Sequence, residues 1–244
     1  MARLPRSTTC SATVRAAIAT RTSTACTPIR LTSPSATKET SMYQKDRIIS
    51  DEGIARRLMA VGSVIAILEG TVRRQARLVG GAVRDIYHNI DPHDFDIAVL
   101  GNPDAGDAEN FATMCGVCSS FAEFGYKTEV HQAYDQSSRD FNARWAGVVK
   151  LTSPAGAQYD ILFSREDSIL ETLNGFDCTF NQCFLQNYDP LSGRAQMMFL
   201  HSPNYEHQFQ LKPVRYERRQ RLEEIAGKLG YKLGKVHGIE VVVE

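Results

Sequence analysis

A mixed α and β fold is expected from Met42 onward, and three observations predict it. Apolar residues recur at helical spacing through 54–68, a strand, a Gly-Gly turn and a helix succeed one another through 77–88, and short β-rich stretches fill 126–163. Taken in order, Ser50, Asp51 and Glu52 supply an N-cap and an acidic first turn. Ile54, Leu58, Met59, Val61, Ile65 and Leu68 then line one helical face as far as Gly70. Arg77, Leu78 and Val79 form a short strand entering Gly80-Gly81, and a helix follows over 82–88. A loop with Asp91-Pro92 leads to a strand at 94–100. Asn102-Pro103 precedes a helix predicted at 107–123. Strands are predicted at 126–134, 144–151 and 158–163, the last two joined by the turn Ser153-Pro154-Ala155-Gly156. A helix at 165–174 stops at Gly175, residues 176–186 suit either a helix or a strand, and 214–229 is helical.

The 244-residue chain is 43% apolar and 23% charged, which excludes a fully disordered polymer. No run reaches the roughly 18 apolar residues of a membrane span. Cysteines at 10, 26, 115, 118, 178 and 183 do not make a disulfide framework in a chain of this length. With no continuous apolar signal core at the N-terminus, a reducing, cytoplasmic setting is expected. The net charge of zero hides an asymmetry: residues 1–41 hold six Lys/Arg and one Glu, a net +5, leaving −5 on the remainder. That segment also holds 16 Ser/Thr and no Phe, Trp or Tyr, so it is expected to be a disordered basic arm. It reads as an inert extension, as a transit peptide directing the protein to the mitochondrion, or as an arm for phosphate backbones. The ordered domain is expected over 42–200, with an Arg-rich helical extension over 201–244.

Side chains alternate along a strand, so Asp94 and Asp96 are expected on one face, with Phe95 and Ile97 on the other. Two acids on an apolar strand call for a cation, and Mg²⁺ suits oxygen-only ligands; a solvated polar face is the alternative. Gly80-Gly81 lets the backbone approach a ligand closely and aims the first amides of the next helix at an anion. Arg84 adds a charge-assisted hydrogen bond there, or pairs with Asp85 or Asp91. A phosphate cradle followed by a two-acid strand suits chemistry that needs a triphosphate and Mg²⁺ together.

Leu78-Val79-Gly80-Gly81-Ala82-Val83-Arg84-Asp85, followed by Asp94-Phe95-Asp96, resembles the nucleotidyltransferase head of bacterial-type poly(A) polymerases and CCA-adding tRNA nucleotidyltransferases. In that family L-V-G-G-x-V-R-D is followed by D-x-D fourteen residues after the first Gly, and Asp94 lies fourteen after Gly80. Tyr159-Asp160-Ile161-Leu162-Phe163-Ser164-Arg165 is similar to the family's strand in which an acid precedes an Arg by five residues. Phe176-Asp177-Cys178-Thr179-Phe180-Asn181 resembles its R-D-F-T-I-N, with the Arg replaced by Phe176. Pro213-Val214-Arg215-Tyr216-Glu217-Arg218 and Leu229-Gly230-Tyr231 look like the two ends of its Arg-rich helix.

The resemblance implies a mixed-sheet, polymerase-β-like head in which Asp94, Asp96 and Asp160 hold two Mg²⁺ ions. It implies nucleotide contacts from Gly80, Gly81, Arg84, Asp85, Arg165, Asp177, Asn181, Arg215 and Arg218. The implied reaction moves a nucleoside monophosphate from ATP or CTP to an acceptor hydroxyl, foremost a tRNA-like RNA 3′ end. Only 44 residues follow position 200, fewer than the neck, body and tail of full-length tRNA nucleotidyltransferases. The alternatives are therefore a compact phage- or toxin-like transferase acting on another RNA or a protein and, outside catalysis, a nucleotide- or RNA-binding module.

Helical geometry adds an independent reading of the last segment. At about 100° per residue, Arg215, Arg218 and Arg219 fall on the same side as Leu222, Ile225, Ala226 and Leu229. These arginines are expected to face the protein body, meeting a nucleotide or primer phosphate or the acidic head itself. Cys115 and Cys118 read as small buried thiols, and His88 and His93 as surface or capping residues. Tyr126, Tyr134, Phe141 and Trp145 read as core, or as a stacking surface for bases.

Overall fold

The computed structural model describes residues 42–132, 145–203, 208, 209, 211 and 216–233. The basic arm at 1–41, Tyr134, Phe141 and Arg215 lie outside these residues. Elements run in the order β1 (Tyr43–Ile48), α1 (Glu52–Val72), β2 (Ala76–Val79), α2 (Gly81–Tyr87), β3 (Phe95–Val99) and α3 (Asp107–Glu123). Then come β4 (Lys127–Gln132), β5 (Trp145–Thr152), β6 (Gln158–Ser164), α4 (Ile169–Asn174) and a 3-10 turn (Thr179–Asn181). The chain continues through β7 (Cys183–Asp189), β8 (Arg194–Phe199), β9 (Gln208–Phe209), α5 (Tyr216–Lys228) and β10 (Lys232–Leu233). Among the described residues no helix is long and apolar enough to cross a membrane.

Eight strands form one mixed sheet in the order β1-β8-β7-β2-β3-β6-β5-β4. Within it only β3 and β6 run parallel; every other neighbouring pair is antiparallel. A parallel pair requires a crossover, and the chain makes it through α3, β4 and β5. One face of the sheet, with Leu78, Ile97, Val99, Val149, Leu151, Ile161, Phe163 and Met197, is covered by α1 and α3. α1 contributes Ile54, Leu58, Val61, Val64 and Leu68, and α3 contributes Met114, Val117 and Phe121. Each such fully buried side chain stabilises the fold by about 1.5–3 kcal/mol. The opposite face carries a smaller apolar cluster of Val79, Ala98, Trp145, Leu162, Leu173, Phe176 and Phe184.

Helix α1 starts as the sequence predicts, with the Asp51 side chain accepting from the Ile54 N–H at 2.9 Å. It does not stop at Gly70. Two further residues join it before Arg73 turns left-handed at φ 53°, donating its N–H to the Glu69 carbonyl. The Glu69 side chain fixes this exit by accepting from Ala76 N–H and Arg77. Met59, expected on the apolar face, is 48% exposed, while Val64 faces the core. α4 is shorter than predicted, beginning at Ile169 rather than Arg165, and the ambiguous 176–186 segment resolves into the 3-10 turn and the start of β7. Edge strand β1 and its neighbour β8 lie outside the sequence reading: β1 is a run of polar residues with no regular apolar alternation.

Gly101 ties the end of β3 to the end of β6. Its N–H donates to the Glu166 carbonyl at 2.7 Å, and a Cβ there would lie 2.2 Å from the Ser164 carbonyl oxygen. Gly101→Ala is expected to cost roughly 3 kcal/mol by forcing the two strand ends apart. Urea unfolding checks this, and a loss under about 1 kcal/mol would contradict so close an approach.

Candidate active site

The parallel pairing sets Asp96 of β3 directly opposite Asp160 of β6. Asp94 lies just before β3, exposed at the mouth of the same face. Burial pushes the Asp96 carboxyl up to about 7, and the charges of Asp94 and Asp160 push in the same direction, against the pull of Arg218 and Lys150. Asp96 is thus where the fields of two acids and two cations meet. Asp160 has a close partner: both its oxygens are within reach of Lys150 Nζ, at 3.0 and 3.2 Å. Among the described residues no three His, Cys, Asp or Glu side chains form a group able to hold a metal ion unaided.

The diglycine turn lies against this carboxylate. Gly80 adopts φ 71°, ψ −138°, a backbone state that glycine enters readily and other residues rarely do. A Cβ there would crowd the Phe176 ring at 3.1 Å and meet Asp96 Oδ2 in ordinary contact at 3.6 Å, so the positive φ and the ring together favour glycine. The Gly80 N–H donates to the Cys183 carbonyl at 3.0 Å, anchoring the turn to β7. Burial pushes the Cys183 thiol up to about 12, which makes it an inert packing group.

Arg84 is buried, and its guanidinium is spent on protein partners. Nε and Nη2 reach Asp85 Oδ1 at 2.7 and 2.6 Å, and Nη1 donates to Asn181 Oδ1 at 2.7 Å. Beneath it the Phe180 ring centroid is 5.2 Å from the guanidinium carbon, within cation–π range. Asn181 in turn donates to Asp177 Oδ1 at a long 3.5 Å, and Asp177 Oδ2 accepts from Arg218 Nε at 2.6 Å. Five residues implied as nucleotide contacts, Asp85, Arg84, Asn181, Asp177 and Arg218, therefore form one chain of hydrogen bonds running past the Gly80 turn. Burial raises the Asp85 carboxyl; Arg84 opposes this and Asp94 adds to it. Burial alone would lower the Arg218 guanidinium, but Asp177, with Cys178 and Asp96, holds it above its ordinary value.

α5 brings Arg218 to the site because Leu222 and Ala226 pack on Cys178, Phe180 and Tyr231. Arg219, expected to face the protein body, is part-buried and pairs with Glu223 one turn along α5. Arg165 is not brought to the carboxylates. It follows β6 at the end opposite Asp160, roughly 16 Å along the strand direction, and donates to Asp107 at the start of α3. Trp145 and Phe176 are buried edge to face with centroids 6.1 Å apart, and Tyr126 packs on Phe121, so these rings are core. Cys115 and Cys118 lie within α3, and His88 contacts the Tyr231 hydroxyl at 3.1 Å.

Lys150 is a site-lining residue that the sequence reading passes over. A signal for Lys150 exists: in a hairpin centred on Ala155, residues equally distant from it face each other, and Lys150 and Asp160 are each five away. Phe176 stands where the resembled family has Arg, and its ring closes the floor beneath Gly80.

Residues 76–144 match the Poly A polymerase head domain. No curated protein matches the chain. The fold is similar to that of the Thermotoga maritima CCA-adding enzyme complexed with tRNA-CCA, at 17% identity and a TM-score of 0.50, over 78% of this chain and 43% of that one. It is equally similar to structures of CCA-adding enzyme with CTP and with ATP, each at 17% identity and a TM-score of 0.50, over 78% of this chain and 44% of the other. The chain thus spans less than half the length of these structures.

A carboxyl raised by folding destabilises the fold once it ionises. The Asp96 contribution is fully favourable below the unfolded value near 3.8 and is lost as pH rises through about 7. Asp96→Asn is therefore expected to melt several degrees above the metal-free wild type at about pH 8, the gap shrinking as pH falls from about 7 toward about 4. Differential scanning calorimetry across that range checks it; a gap that does not change with pH would show that Asp96 is not buried among acids.

Proposed function

We propose that this chain is a Mg²⁺-dependent nucleotidyltransferase that moves a nucleoside monophosphate from ATP or CTP to an acceptor hydroxyl, foremost at an RNA 3′ end. One observation carries the reading: Asp96 and Asp160 face each other across the parallel strand pair, and the Gly80 backbone, at a positive φ, lies against Asp96. Support comes from the Poly A polymerase head domain match over 76–144 and from the likeness in fold to CCA-adding enzymes with CTP and with ATP.

The donor set fits Mg²⁺, which takes carboxylate oxygens and completes its shell with substrate phosphates and water. Asp94 and Asp96 would hold it, joined by Asp160, and these carboxylates fall short of a closed cage, which leaves positions for triphosphate oxygens. When bound, Mg²⁺ neutralises triphosphate charge and makes an acceptor hydroxyl easier to ionise. The chain's own residues do the rest. Gly80 and Gly81 give a phosphate access to the backbone beside Asp96. Gly80 also leaves the first turn of α2 without a side-chain cap. Arg84 does not reach outward; it holds Asn181, which with Asp177 orients Arg218 toward the carboxylates. In the transfer, the acceptor oxygen bonds to the α-phosphorus, the α–β phosphoanhydride bond breaks, pyrophosphate leaves, and the hydroxyl proton passes to solvent.

Incubation of the purified chain with total RNA, Mg²⁺ and each labelled nucleoside triphosphate in turn is expected to give RNA heavier by nucleotide units. Asp94→Asn and Asp96→Asn should each reduce incorporation by roughly a hundredfold or more, and chelation of divalent ions should abolish it. Wild-type incorporation by Asp96→Asn would overturn the assignment.

A further inference from the structure

Glu129 of β4, Lys150 of β5, Asp160 of β6 and Asp96 of β3 stand directly opposite one another in a single row across the sheet. Lys150 is the cation of that row, and it is committed to one neighbour. Its ammonium contacts both oxygens of Asp160, so the third carboxylate of the site already has a counter-ion supplied by the chain. The contact is not a locked one. The Lys150 side chain is 50% exposed and that of Asp160 31% exposed, and a pair so hydrated contributes little to stability. Beside it lies an open depression of about 280 Å³ lined by Lys127, Glu129, Lys150, Thr152, Gln158 and Asp160. This gives the ammonium space to leave, and Glu129, on the far side of Lys150 in the row, is a second acid for it to approach.

We infer that Lys150 is the resident counter-ion of Asp160 and competes with a divalent cation for that carboxylate. It is a positioning residue that must step off Asp160 before Asp160 joins Asp94 and Asp96 in holding a metal. The inference rests on the carboxylate site proposed above. An ammonium and a divalent ion cannot both take the two oxygens of one carboxylate, because the cations repel each other at that separation. The exchange has a use: Asp160 joins the site only under the pull of an arriving ion.

The test is a Mn²⁺ titration of the full chain without nucleotide, read by electron paramagnetic resonance of the free ion. Lys150→Met is expected to bind Mn²⁺ roughly three- to tenfold more tightly than wild type, because a competing charge has gone. Lys150→Arg should bind as wild type does, which separates charge from packing, and Asp96→Asn should bind most weakly. If Lys150→Met binds no more tightly than wild type while Asp96→Asn loses the ion, the competition is wrong and the carboxylate site survives. If Asp96→Asn binds as wild type does, the carboxylate site itself is wrong and this inference falls with it.

Discussion

Parallel pairing of β3 with β6 is the constraint on which the rest of this structure depends. It puts Asp96 and Asp160 side by side at the same end of two strands, while Ala98 and Leu162, two residues further on, join a dry cluster with Trp145 and Phe176. The same face is therefore acidic at one end and apolar at the other. The alternate residues Ile97 and Ile161 lock the pair onto α1 and α3 from behind. Moving either strand by one residue would exchange these faces, burying the acids under the helices at a cost no neighbouring cation could offset.

Around that pair the molecule manages charge by delegation. Arg84 is buried, and its contacts fix Asn181 while Asp85 balances it. Asp177 then receives Arg218 from a helix late in the chain. Each link has a protein partner, so the cation that faces the acids is oriented before anything binds. Such preorganisation is favourable where charge develops during reaction, because the dipoles need not rotate at that moment.

Much of this was legible in the sequence. The helical period of 54–68, the Gly-Gly turn and the turn at 153–156 placed α1, α2 and the β5–β6 hairpin, and the boundaries of α3 came out as read. The spacing of Gly80, Asp94 and Asp96 pointed to a shared pocket, and Asp96 does lie against Gly80. What stayed hidden has physical reasons. β1 carries Gln, Lys, Asp and Arg because an edge strand meets solvent, so its pattern has no apolar alternation to detect. Arg165 is implied as a site residue only by a resembled motif that sets it five residues after Asp160, past the end of β6. A strand is a rigid rod, however, and its far end belongs to α3. Arg219 also has Glu223 as a local partner, which a helical wheel does not weigh.

The topology also orders events during synthesis and folding. Asp96 and Asp160 are sixty-four residues apart in the chain, and nothing between β3 and β6 brings them together except the complete crossover through α3, β4 and β5. Closing so long a loop carries an entropic cost that must be met before any contact between the two strands rewards it. The local units, α1, α3 and the β5–β6 hairpin, can form early, whereas the acidic pair assembles only when the sheet is nearly whole. A half-made chain therefore does not yet hold the paired acids.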